Sequence, residues 1–295
     1  MMKMLLGVAF ALALTACGNG SSTDGTSGGS ATPPPDSSIV GDFDVGEGKK
    51  LHLECRGSDG PTIVLDGGDG DVADGSWQGV AQSMQPFGRV CAYDRANVGR
   101  SDPDPGPRTV KDLGDDLVTL LHVAKVPGPY VFVGGSFGGN IIGVLAANHP
   151  DEVAGIVFVD AWPETKDPKL DPARQNLPKK TYDECCAPEL YHLPFDAEEN
   201  TEHIDWKGSY ADGLASVYQL PKVPTIVLTA SKPECEPDWP CDAMAEDIVR
   251  LQAEWIKGNP KGSQKVVDSG HDIQEESPQE IVDATKAVVK AARKT

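Results

Sequence analysis

At 295 residues and 31.2 kDa, the chain has room for one large hydrophobic core. A hydrophobic content of 39%, a charged content of 24% and a mean hydropathy of -0.31 exclude both a polytopic membrane protein and a wholly disordered chain. With 26 Lys and Arg against 45 Asp and Glu, the net charge of -19 repels nucleic-acid phosphates, so no nucleic-acid partner is expected.

The chain opens with a short basic start ending at Lys3, an apolar run from Leu5 to Leu14 and then small residues, which is the pattern of an export signal. The apolar run is shorter than the ~20 residues needed to span a bilayer. Leu14-Thr15-Ala16-Cys17 resembles the lipobox of bacterial lipoproteins, in which the signal is cut before the cysteine and the thiol carries a diacylglycerol. That resemblance implies a signal peptide over residues 1–16, lipidation at Cys17, and a place in the bacterial cell envelope with the membrane as partner through the acyl chains. Residues 17–38 then read as a flexible Gly/Ser/Thr/Pro tether. Gly25-Thr26-Ser27-Gly28-Gly29 within it matches G-x-S-x-G by composition alone, because no strand precedes it and no helix follows.

From residue 39 to 295 short apolar runs alternate with helical patterns, which predicts a mostly parallel sheet covered by helices. Strands are expected at Leu51–Cys55, Thr62–Leu65, Arg89–Tyr93, Tyr130–Val133, Gly155–Val159, Thr225–Leu228 and Gln264–Val267. Thr109 is placed to cap a helix carrying Leu113, Leu117, Leu120 and Leu121, and Met244, Ile248, Leu251 and Trp255 form a second stripe. Ser277-Pro278-Gln279-Glu280 predicts a terminal helix with an N-cap serine and a capping-box glutamate. One interval, residues 161–221, breaks the alternation. It holds seven of the 18 aromatic residues, so an ordered cap is expected there.

The chemistry is concentrated at Tyr130-Val131-Phe132-Val133-Gly134-Gly135-Ser136-Phe137-Gly138-Gly139. An apolar strand runs into G-x-S-x-G and then into a helical pattern. A sharp strand-to-helix turn lifts a serine hydroxyl out of a sheet, and flanking glycines give the crowded backbone room. Ser136 is therefore the expected nucleophile, and a serine needs a base. Of the six histidines, His52 falls on a strand, His122 on a helix, His149 at a helix end, and His192 and His203 in the cap. Only His271 follows a predicted strand near the C-terminus, in Asp268-Ser269-Gly270-His271, and it is the expected general base.

Together, the Ser136 elbow, Val90-Cys91-Ala92-Tyr93-Asp94-Arg95 with Gly99-Arg100-Ser101-Asp102, and Gly270-His271 resemble the α/β-hydrolase superfamily from Leu51 to the C-terminus. The resemblance implies an α/β-hydrolase fold with an eight-stranded sheet, a triad in the order Ser, acid, His, and acyl transfer to water; no cofactor is expected, and no metal, because no histidine stands at zinc-ligand spacing from the cysteines. It also implies an oxyanion hole from the N–H of Phe137 and, in Asp66-Gly67-Gly68-Asp69-Gly70, the N–H of Asp69 or of the neighbouring Gly68. Gly135 departs from the family, many members of which carry histidine before the nucleophile. The acid is the open member. Asp160, at the end of the Gly155–Val159 strand, resembles the acid position of haloalkane dehalogenases and is chosen, with Glu234, Glu236 and Asp238 as alternatives. Setting Cys17 aside leaves six cysteines in an oxidising compartment. Cys55 and Cys91 would lie on neighbouring strands of the family's sheet and could be bridged, and Cys185, Cys186, Cys235 and Cys241 allow three pairings.

These residues describe a membrane-tethered serine hydrolase for a small-molecule acyl substrate, most simply a carboxylic ester. Two other readings stay open: a prolyl-type aminopeptidase, with Glu198, Glu199 and Glu202 holding an ammonium group, and a non-catalytic ligand-binding lipoprotein of the envelope.

Overall fold

The computed structural model describes residues 38–57, 60–162, 200–216, 219–232 and 241–293, the side chains of 243 and 244 excepted. Cys17 and the segments assigned to the signal and tether up to residue 37 lie outside them, as do Cys185, Cys186, Cys235, Glu234, Glu236, Asp238, His192, Glu198 and Glu199.

Eight strands form one sheet: β1 (Ile39–Asp44), β2 (Lys50–Arg56), β3 (Thr62–Asp66), β4 (Arg89–Tyr93), β5 (Tyr130–Gly135), β6 (Val153–Val159), β7 (Thr225–Ala230) and β8 (Gly262–Val267). Their spatial order is β1-β2-β4-β3-β5-β6-β7-β8. β1 and β2 are antiparallel to their neighbours, and the strands from β4 to β8 run parallel. All seven expected strands are present. β1 is the addition: its alternating half-buried and exposed residues carry too little apolar signal to stand out, and its pairing with β2 defines it.

The helices are α1 (Gln78–Met84), α2 (Val110–Val123), α3 (Phe137–Asn148), α4 (Trp206–Ser216), α5 (Cys241–Glu254), α6 (Ile273–Glu276) and α7 (Pro278–Ala292). Every residue of β3 and of β5 is buried, as expected for strands covered on both faces. On one face Leu117, Leu120 and Leu121 of α2 and Ile142 and Leu145 of α3 pack with Phe132, Phe158 and Trp255. On the other, Val80 and Met84 of α1 meet Ile281, Val288 and Val289 of α7. Phe132 is fully buried, and truncating such a ring to alanine costs about 3–5 kcal/mol.

Local signals account for the start of α2 more fully than for that of α7. The Thr109 side chain accepts from the Asp112 N–H, and the Asp112 side chain accepts in return from the Thr109 N–H, a reciprocal cap for α2. α7 does begin after Ser277 with Pro278 in its first turn, but the Ser277 side chain makes no capping bond. Its expected partner Glu280 instead forms an ion pair with Lys265 on β8, a tertiary contact that displaces the local one.

Cys55 and Cys91 face each other across β2 and β4 and are disulfide-bonded, with Cα atoms 4.0 Å apart. Cys241 is disulfide-bonded as well. From β3 the chain passes to β4 on one side, and the next strand, β5, lies on β3's other side. This reversal leaves a crevice at the carboxyl ends of β3 and β5, where open α/β sheets bind ligands.

Candidate active site

Ser136 stands in that crevice between β5 and α3. Its backbone has φ 49° and ψ -122°, a conformation that non-glycine residues rarely adopt and that costs on the order of 1–3 kcal/mol unless the surroundings enforce it. They do: the Ser136 N–H donates to the Val159 carbonyl (3.0 Å), and its own carbonyl accepts from the Gly139 N–H (3.0 Å). Gly138 lets α3 approach the loop after β3. A Cβ there would lie 2.3 Å from the Asp66 carbonyl oxygen and 2.4 Å from that of Gly67.

Asp160, the residue after β6, also has a positive φ, 42°. Its N–H donates to the Leu228 carbonyl (2.8 Å), and its Oδ1 accepts from the Ala230 N–H (3.0 Å). Both bonds tie it to β7. The other oxygen, Oδ2, lies 2.8 Å from His271 Nδ1. Asp160 is largely buried, whereas His271 is about a third exposed. Ser136 and His271 share the wall of a pocket of about 360 Å³, lined also by Gly68, Asp69, Asp71 and Trp77. Asp160 orients the imidazole through Nδ1, and a histidine held in this way can exchange a proton within the pocket.

The loop after β3 is braced from behind. Arg95, 2% exposed, donates from Nη1 to Asp66 Oδ1 (2.7 Å) and to the Gly67 carbonyl (3.1 Å), and from Nη2 to the Gly68 carbonyl. Its Nε and Nη2 donate to the two oxygens of Glu202, each at 2.7 Å, and Glu202 Oε1 accepts from the Gly70 N–H (2.7 Å) as well. The guanidinium also lies over the Phe137 ring, 5.5 Å from its centre. One buried cation thus faces the carboxyls of Asp66, Glu202 and Asp69, a group that cannot all ionise out of water. Burial raises the Asp66 carboxyl to about 6 against the pull of Arg95. Burial and the neighbouring Glu202 charge raise Asp69 to about 6. Among the described residues the N–H groups of Asp69 and Phe137 have no protein acceptor.

A family model for the alpha/beta hydrolase fold matches residues 65–183. YqjL, an uncharacterized protein of Bacillus subtilis, is 26% identical over 246 residues, 79% of this chain and 85% of that protein. A candidate carbamate hydrolase, RutD of Azorhizobium caulinodans, is 33% identical over 112 residues, 38% of this chain. The chain spans 41% of that RutD's length, and 16% and 26% of two further relatives that it matches at 35% and 34% identity. The crystal structure of an E-2-(acetamidomethylene)succinate hydrolase superposes with a TM-score of 0.60 at 18% identity, covering 86% of this chain and all of that one. The chain has the α/β-hydrolase fold.

Three features of this site escape a reading of the sequence. At Gly135, where many members of the superfamily carry histidine, an added Cβ would meet Trp77 Cζ2 at 2.7 Å. The indole occupies the space, so the departure reflects repacking across the crevice. Glu202 corrects an expectation: read with Glu198 and Glu199 as a cluster for an ammonium group, it is instead 1% exposed and bonded to Arg95 and Gly70. The third feature is the cap. Of the aromatic residues between 161 and 221, the described Trp162, Trp206 and Tyr210 do not line the Ser136 pocket, while Tyr182, Tyr191, Phe195 and Tyr218 lie outside the described residues. Trp206 packs on Phe137 at 4.9 Å between ring centres, sealing the start of α3. Other histidines are engaged elsewhere, His149 with Asp115, His122 with Glu152 and His203 with the Asp104 carbonyl.

Proposed function

We propose that the protein is a serine hydrolase that cleaves a carboxylic ester or a related acyl bond through an acyl-enzyme on Ser136. His271 takes the Ser136 proton as the hydroxyl oxygen bonds to the substrate carbonyl carbon. The resulting tetrahedral oxyanion is held by the N–H groups of Phe137 and Asp69. As the bond to the leaving group breaks, His271 returns the proton to it, and water then releases the acid by the same steps in reverse order. Asp160, bonded at Nδ1, holds the imidazole in the tautomer whose Nε2 can accept the Ser136 proton and stabilises the imidazolium. The observation that carries this reading is the 2.8 Å contact between Asp160 and a His271 that shares a pocket with a serine in a strained strand-to-helix turn.

Relatives named for carbamate cleavage and an enol-lactonase with the same fold support an acyl substrate. The aminopeptidase alternative loses one of its acidic residues, because both oxygens of Glu202 are taken by Arg95. The test is labelling with a fluorophosphonate probe together with turnover of p-nitrophenyl acetate and butyrate. Both are expected in the wild type and absent in Ser136→Ala. A wild type that neither labels nor hydrolyses is a binding protein, and the hydrolase reading falls.

The protein is further proposed to sit at the bacterial envelope surface, anchored through a diacylglycerol on Cys17. The lipobox-like Leu14-Thr15-Ala16-Cys17 and the buried Cys55–Cys91 disulfide support it. Incorporation of a labelled fatty acid that disappears in Cys17→Ala would test the anchor, and equal incorporation in both would refute it.

A further inference from the structure

A carboxylate at the edge of an oxyanion site opposes catalysis, and Asp69 brings one to the wall of the Ser136 pocket. Its surroundings answer that problem. Burial and the Glu202 charge push the Asp69 carboxyl up, and the Glu202 oxygens accept from the Gly70 N–H and from Arg95. Arg95 in turn holds the Gly67 and Gly68 carbonyls. Three donated bonds converge on the Glu202 oxygens, so beside that carboxylate the proton is held on Asp69.

We propose that Glu202 is a positioning residue for the chemistry at Ser136: from the segment ahead of α4 it fixes the Gly67–Gly70 turn through Arg95 and the Gly70 N–H, and its charge beside Asp69 keeps that carboxyl protonated, so that Asp69 presents its N–H to the oxyanion without an adjacent negative charge. This rests on the hydrolase reading above. Neither Glu202 nor Arg95 lines the pocket, so both act through the loop. The charged groups facing Asp69 are Glu202 and Arg95 on the buried side, with Asp66 behind Arg95. His271, Asp71, Asp272 and Glu275 line the pocket with it.

The position of Asp69's titration, near 6, makes the arrangement visible. Relative to Asp69→Asn, the wild type's hydrolysis of p-nitrophenyl butyrate is expected to lose about tenfold in kcat as pH rises through 6, since an ionised Asp69 weakens oxyanion stabilisation and both proteins share the requirement for a neutral His271. Glu202→Gln keeps the shape but removes the charge. It is expected to lower kcat at pH 5.5 by about 10- to 100-fold with KM within about twofold, and to move the alkaline loss down by about one pH unit, because the charge that holds the proton on Asp69 is gone. Asp69→Asn leaves Arg95 and Glu202 in place and is expected to remove the alkaline loss altogether. Carboxyl-carbon NMR, with Asp69 assigned from its absence in Asp69→Asn, reads the same titration without turnover. Thermal melting confirms that each variant is folded.

A Glu202→Gln protein with unchanged kcat and unchanged pH profile overturns the proposal, as does an Asp69 carboxyl that titrates identically with and without the Glu202 charge. If the wild type shows no Ser136-dependent turnover, the hydrolase reading fails by itself, and the NMR titration alone decides whether Glu202 controls Asp69.

Discussion

Each carboxylate oxygen of Asp160 has its own partner: the Ala230 N–H fixes one and His271 the other. Replacing it with asparagine keeps the volume but sets an amide N–H2 against His271 Nδ1, which must then accept. The imidazole would switch tautomer and present an N–H to Ser136 in place of an acceptor. Asp160→Asn is therefore expected to lower kcat by about 10⁴-fold with little change in melting temperature, read with p-nitrophenyl butyrate under saturating conditions. Loss below about tenfold would mean that another carboxyl orients His271. Ser136 and His271 were legible in the sequence because each stands in a short local pattern, a strand running into glycines and a strand followed by a capped helix. Glu202 was not, since its meaning depends on Arg95, 107 positions away, and no local pattern distinguishes it from the acidic residues around it. Gly135 was legible as a departure, but its cause, the Trp77 indole, exists only in three dimensions.

At the level of elements, the crevice depends on how closely α3 meets the loop after β3. Gly138 sits where any side chain would collide with the Asp66 and Gly67 carbonyls, both rigid parts of the braced loop. Overpacking of this kind costs typically 1–3 kcal/mol, and here the strain falls on the two donors of the proposed oxyanion hole. Gly138→Ala is expected to depress kcat by at least about tenfold while the Ser136 probe still labels slowly, and to lower the midpoint of urea unfolding. Unchanged turnover would show that the loop can retreat without losing alignment. The strands were readable because parallel, doubly covered strands appear as unbroken apolar runs. β1, half exposed at the sheet edge, lacks that signature. The start of α7 was readable while its cap was not, because Glu280 is drawn off by Lys265 across the fold.

For the molecule as a whole, charge sets the dependence of stability on pH. The Asp66 and Asp69 carboxyls are raised by burial from 3.8 to about 6. The folded state therefore binds their protons more tightly than the unfolded chain does. The stability so gained is complete below about pH 4 and is lost as pH rises through 6. Asp104 behaves oppositely: the Gly106 N–H, Lys49 and Arg108 outweigh its burial and lower it to about 2, so its contribution is present above pH 4 and is lost as pH falls toward 2. A net charge of -19 adds repulsion on the alkaline side. Urea midpoints at constant ionic strength are expected to be highest between about pH 4 and 6 and lower at pH 8, with the decline shallower in Asp69→Asn. A midpoint at pH 8 equal to that at pH 5 would contradict the buried neutral carboxyls.

The staple between β2 and β4 has a chemical consequence of its own. Both cysteines are wholly inaccessible to solvent, and thiol–disulfide exchange requires a thiolate to strike a sulfur directly. A dissolved reductant therefore finds no target until the sheet parts, and an oxidant would find none in a reduced chain that had already closed. Exchange at this pair is therefore tied to opening of the sheet, so its rate is expected to follow the unfolding of β2 from β4 rather than the concentration of reductant.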